Sequence, residues 1–126
     1  MAKKILIVDD EVDVLSVLKK GLVAEGYSVI TADNGCDALG LAQSEHPDLI
    51  ILDILMPNMD GTEVAERLKE TLEAKNIPAI FLTGMFPKEE GEKGGRLIAG
   101  HVLFIKPYDI KELVNAIKGL LPKERV

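Results

Sequence analysis

The feature that most constrains this chain is an alternation kept up from one end to the other. Short apolar runs rich in β-branched residues occur at 5–8, 28–31, 49–52, 79–82 and 102–105. Between and after them lie longer stretches with apolar residues at helical spacing. Val14, Leu15, Leu18 and Leu22 share one face, with Gly26 beyond it as a stop. Ala38, Leu39 and Ala42 form a second stripe, closed by Pro47. Val64, Ala65, Leu68 and Leu72 form a third, and Ile110, Leu113, Val114, Ile117 and Leu121 a last one before Pro122. Strands so short and so continuously apolar are buried on both faces, the situation of a parallel sheet covered by helices. The expectation is an α/β fold with a doubly wound, five-stranded parallel sheet and right-handed crossovers.

The chain has 126 residues, which suits one domain spanning 1–126. No repeat, low-complexity tract or linker divides it, and residues 122–126 read as a free tail or the stump of a linker. Apolar residues make up 47%, enough for a full core and against disorder. With three Phe, two Tyr and no Trp, that core must come mainly from Leu, Ile, Val and Ala. The net charge of −6 supplies no basic face for nucleic acid. Cys36 stands alone, so there is no disulfide framework. The apolar run after the N-terminal lysines is too short for a signal peptide or a membrane span. A soluble, cytoplasmic protein is expected, without membrane association.

One segment departs from the pattern. A fourth helix belongs at about 87–99, yet residues 88–96 contain no apolar side chain and include Gly91, Gly94 and Gly95. Each glycine costs a helix roughly 1 kcal/mol relative to Ala. A weak or irregular fourth helix is expected there.

In a doubly wound sheet, ligands bind beyond the carboxyl ends of the strands. The first strand ends in Asp9-Asp10-Glu11, the third in Asp53, the fourth in Thr83 and the fifth in Lys106-Pro107. Three carboxylates, a hydroxyl and an ammonium would therefore share one pocket. Asp9, Asp10 and Asp53 repel one another unless a cation joins them, and an all-oxygen cluster open to water suits Mg²⁺. The cation would also neutralise an incoming phosphoryl group. Lys106 could pair with Asp53 and later with phosphate oxygens, and Thr83 could donate its hydroxyl to them. A carboxylate in such surroundings can act as a nucleophile and form an acyl phosphate. Each residue also has a purely structural reading. Asp10 could cap the first helix, Thr83 suits any strand end, and Lys106 could be a surface turn residue. Asp60 could cap the third helix, with Glu63 completing a capping box. Those readings account poorly for all four strand ends in order.

The set Asp9-Asp10, residues 53–61 (Asp-Ile-Leu-Met-Pro-Asn-Met-Asp-Gly), Thr83 and Lys106-Pro107 resembles the receiver domain of bacterial two-component response regulators. The similarity runs from residue 4 to residue 121. It implies a flavodoxin-like (βα)5 fold with strand order 2-1-3-4-5. It also implies a signalling switch rather than a turnover enzyme, with Mg²⁺-dependent self-phosphorylation and autodephosphorylation chemistry. Asp53 would take a phosphoryl group from a phosphohistidine on a sensor histidine kinase or histidine phosphotransfer protein, or from a small phosphodonor. Asp10 and Asp53 would bind Mg²⁺ through their side chains, Leu55 through its main-chain carbonyl and Asp9 through a water. Thr83 and Lys106 would hold the phosphate and carry the signal to a downstream protein, and the Lys106–Pro107 bond looks like the family's cis peptide. The chain departs from the family in three places. Leu103 stands where the family's switch aromatic lies, with Phe104 beside it. The glycine-rich segment weakens a face through which many receivers meet partners. Leu55 and Met85, two residues after Asp53 and Thr83, cannot orient an attacking water, so a long-lived aspartyl phosphate is expected.

Other residues and readings carry less. His46 and His101 have no second ligand at zinc spacing and read as solvent-facing. Cys36 reads as a partly buried packing residue, and Met56 and Met59 as packing under a loop. An alternative makes the chain the N-terminal receiver of a larger regulator with a DNA-binding or enzymatic output. A phosphoaspartyl hydrolase of the dehalogenase type would carry a second Asp where this chain has Leu55. A flavodoxin-like electron carrier would need a phosphate loop where Asp9, Asp10 and Glu11 stand.

Overall fold

Alternate residues of the central strands enter two separate cores. Ile5, Ile7, Leu49, Ile51, Ile80, Leu82 and Phe104 pack on one side of the sheet with Leu15, Leu18, Leu22, Leu113, Val114 and Ile117. Leu6, Val8, Ile50, Leu52, Phe81 and Leu103 pack on the other with Ala38, Ala42, Val64, Ala65 and Leu68. The predicted helical stripes thus meet the sheet where the periodicity places them, except that Ile110, at the start of the last stripe, is 39% exposed and Leu72 lies outside the described residues. Each fully buried side chain of this size contributes about 1.5–3 kcal/mol relative to exposure.

The computed structural model describes residues 3–54, 61–70, 77–83, 96–98, 101–105 and 109–121. The elements are β1 (Lys4–Val8), α1 (Val12–Ala24), β2 (Ser28–Ala32), α2 (Gly35–Glu45), β3 (Leu49–Asp53), α3 (Gly61–Lys69), β4 (Ala79–Thr83), β5 (Arg96–Ile98), β6 (His101–Ile105) and α4 (Ile110–Leu120). The sheet order is β2-β1-β3-β4-β6-β5. The five parallel strands β2, β1, β3, β4 and β6 stand in the predicted order.

The addition is β5. Where the sequence suggested a weak helix, residues 96–98 pair antiparallel with β6, Arg96 opposite Leu103, Leu97 opposite Val102 and Ile98 opposite His101. The remainder of the expected helix, 87–95 and residue 99, lies outside the described residues. A parallel strand can follow its neighbour only if the chain first returns to the amino end of the sheet. Here a strand makes part of that return, because β5 runs down β6 to His101.

Helix ends follow their local chemistry. Gly26, at φ +95°, lets the chain leave α1 in a conformation that side-chain-bearing residues rarely adopt. The Asn34 side chain caps α2 by accepting from the Asp37 N–H at 2.8 Å, while its amide donates to Asp33 and Asp37 at 2.8 and 2.9 Å. Asn34→Ala is expected to cost about 1 kcal/mol in chemical denaturation. Gly40, inside α2, has nothing within 4 Å of where a Cβ would stand, so Gly40→Ala should stabilise by about 0.5–1 kcal/mol in the same measurement. Before Pro47, His46 ends α2 in the left-handed region at φ 48°. Just beyond, Lys4 and Asp48 exchange bonds: the Asp48 N–H donates to the Lys4 carbonyl and the Lys4 N–H to the Asp48 carboxylate, both at 2.7 Å. Cys36 is exposed, not partly buried as its sequence context suggested. It lies off the α2 stripe of Gly35, Ala38 and Ala42 that faces the sheet.

Candidate functional site

The carboxyl edge of the sheet collects the acidic residues. Val8 pairs with Leu52 in the β1–β3 register, so Asp9 and Asp53, the next residue on each strand, emerge side by side. One carboxylate oxygen from each of Asp9, Asp10 and Asp53 lies within 4.8 Å of the other two. Asp9 is fully buried and Asp53 is 3% exposed, whereas Asp10 is exposed. At that separation and an effective dielectric of ~20, the two buried charges repel by on the order of 3 kcal/mol. Three anionic oxygen donors this close, one of them open to water, fit a hard divalent cation such as Mg²⁺.

Asp10 does not take the capping role considered for it. The residue at the N-cap of α1 is Glu11, whose side chain caps nothing. The Glu11 N–H instead donates to Asp9 Oδ1 at 2.9 Å, and the Asp9 N–H donates to the Ala32 carbonyl at 3.2 Å. Sequence reading missed this link. Its signal was an Asp two residues before the N-cap of a helix, where Asx turns form.

Thr83 ends β4 fully buried. Leu82 pairs with Asp53 across β3–β4, and the Ile54 N–H donates to the Leu82 carbonyl at 2.9 Å. Thr83 therefore stands one residue beyond the partner of Asp53, beside the cluster. Its own partner is Ile105 of β6, the residue before Lys106. Lys106, Pro107, Leu55, Met56, Met59, Asp60 and Met85 lie outside the described residues.

The position of Leu103 is resolved by strand alternation. Leu103 is 4% exposed and packs in the core under α2 and α3, while Phe104 points to the opposite core with α1 and α4. Phe104 therefore cannot stand in for an aromatic at 103. Among the described residues, the aromatic on the Leu103 face is Phe81, its register partner, which shares that face with Thr83 two residues on.

Comparison with known proteins agrees with this fold. Residues 5–118 match the response regulator receiver domain family. A probable transcriptional regulator, ycf27, of Cyanophora paradoxa is 40% identical over 119 residues, covering 94% of this chain and 48% of that protein. The sporulation initiation phosphotransferase F of Bacillus subtilis is 37% identical over 122 residues, covering 97% of this chain and 96% of that protein. The structure of the chemotaxis protein CheY4 of Vibrio cholerae superimposes with a TM-score of 0.82 at 29% identity, covering 96% of this chain and 100% of that one. The chain belongs to the response regulator receiver domain family. It is a phosphorylation-accepting domain of two-component signal transduction and works as a signalling switch. It spans about half the length of several of the regulators it matches. Among the described residues, no helix is long and apolar enough to cross a membrane.

Proposed function

We propose that Asp53 is the phosphoryl acceptor of this receiver, with residues 1–126 as one cytoplasmic receiver domain. The observation that carries the reading is the convergence of Asp9, Asp10 and Asp53 at the carboxyl edge, with one oxygen of each within 4.8 Å of the others. In the reaction, a carboxylate oxygen of Asp53 bonds to the phosphorus of a phosphohistidine on a sensor histidine kinase or histidine phosphotransfer protein. The P–N bond breaks, its electron pair returns to the imidazole ring, and an acyl phosphate remains. The side chains of Asp10 and Asp53 and the Leu55 carbonyl would hold Mg²⁺, with Asp9 acting through a water. When bound, the ion supplies positive charge against the phosphoryl oxygens. Thr83 and Lys106 would hold the transferred phosphate by hydrogen bond and ion pair. Their adjustment towards it would switch binding to a downstream protein.

Small phosphodonors test this directly. One phosphoryl adduct on the protein in acetyl phosphate and Mg²⁺, read by intact mass, is the result expected; no adduct at any donor concentration overturns the reading. The chemistry at residues 55 and 85 adds a prediction. Leu55 and Met85 have no polar group with which to orient water, so the adduct should decay at a rate within about tenfold of a free acyl phosphate. Much faster loss, followed by phosphate release, would remove that expectation.

A second reading makes this domain the N-terminal receiver of a larger regulator with a DNA-binding or enzymatic output. It is favoured by the half-length match to transcriptional regulators. The sporulation initiation phosphotransferase F is matched over 96% of its own length, so relatives of this chain also include a protein of receiver size.

A further inference from the structure

Asp10 differs from the other two acids of the cluster. It is exposed and makes no hydrogen bond or ion pair among the described residues, so only its own backbone keeps its carboxylate within 4.8 Å of Asp9 and Asp53. That backbone is fixed on both sides through Asp9. On one side, the Asp9 N–H donates to the Ala32 carbonyl at 3.2 Å, which ties the end of β1 to the end of β2. On the other, Asp9 Oδ1 accepts the Glu11 N–H at 2.9 Å, which closes an Asx turn over Asp10. The Glu11 carbonyl then accepts the Leu15 N–H at 3.2 Å, so the turn passes directly into α1. Asp10 is the residue bridged by these bonds.

We infer that Asp9 is a positioning residue for the acidic cluster: its side chain holds the Glu11 N–H and thereby sets where the Asp10 carboxylate stands. This deepens the assignment of Asp53 as acceptor and rests on it. The inference separates two contributions of Asp9, an acceptor oxygen for the turn and a negative charge for the cation. Asparagine keeps the first and removes the second. Alanine removes both.

The test compares the full chain with Asp9→Asn, Asp9→Ala and Asp10→Asn. The first readout is hydrogen exchange at the Glu11 amide without metal or phosphodonor. Asp9→Asn should keep its protection, and Asp9→Ala should lose at least about tenfold. The second is Mg²⁺ affinity by calorimetric titration. Asp9→Ala should bind about 10- to 100-fold more weakly than wild type, the usual effect of losing a partner that orients a ligand. Asp9→Asn should lie clearly between them, and should lose less than Asp10→Asn. If Asp9→Ala does not fold, the comparison of Asp9→Asn with Asp10→Asn still decides. Equal Glu11 exchange in Asp9→Asn and Asp9→Ala overturns the inference, as does an Asp9→Asn loss matching that of Asp10→Asn. The wild-type phosphoryl adduct is scored separately. Its absence would remove Asp53 as acceptor while leaving the exchange and affinity results to judge Asp9.

Discussion

Asp53→Asn is expected to lower phosphoryl incorporation from a small phosphodonor by at least about a hundredfold, to the background of intact-mass detection. Asparagine matches aspartate in shape, so β3 and its neighbours should keep their packing, and circular dichroism should be unchanged. What the variant lacks is an anionic oxygen able to form the acyl phosphate. The same substitution has two further effects, both following from the cluster. Asp53 is 3% exposed and lies beside the fully buried Asp9, so removing its charge should raise thermal stability in metal-free buffer. It should also reduce the stabilisation that added Mg²⁺ provides, which for a single site reaches about 2.7 kcal/mol at a hundred times Kd. An adduct of equal size on Asp53→Asn would place the acceptor elsewhere, with Asp10 the next residue to substitute.

Ile51→Ala should be among the more damaging core truncations, costing about 2–5 kcal/mol in urea denaturation. Ile51 is completely buried in β3, the strand between β1 and β4. It is flanked by Ile7 on one side and Ile80 on the other, in the core that α1 and α4 cover. Its neighbours are held by strand pairing and cannot collapse into the space left behind. Against a typical domain stability of about 5–15 kcal/mol, this is a large share. Ile51→Val, which keeps the β-branch, should cost only about 0.5–1.5 kcal/mol. Equal stability of wild type and Ile51→Ala would mean that the core repacks, contrary to the density found in protein interiors.

The sheet and its helices were legible because their signals are local and repeated. An apolar strand such as residues 49–52 reads the same in any context, and so does the stripe Leu15, Leu18, Leu22. The segment before β6 was less legible. Glycines 91, 94 and 95 argue against a stable helix, but nothing local marks the strand at 96–98, which pairs with the edge that β6 offers. Cys36 was misjudged for a related reason. Its burial depends on which turn of α2 faces the sheet, and a stripe as short as Ala38, Leu39 and Ala42 fixes that poorly.

Asp53 illustrates the division most clearly. Its chemistry and its company are legible residue by residue: a carboxylate ending a buried strand, with two more acids ending another and the run to Gly61 following. Residue type and order are sufficient for that, since a strand end in a doubly wound sheet has few places to go. How the three acids differ is set by the folded arrangement. Strand register brings Asp9 beside Asp53 and buries both, and the bond that the Glu11 N–H donates to Asp9 spans Asp10, which is exposed and held by its backbone alone. Those differences arise from packing and hydrogen bonds between segments distant in the chain, to which a reading of neighbours in sequence has no access.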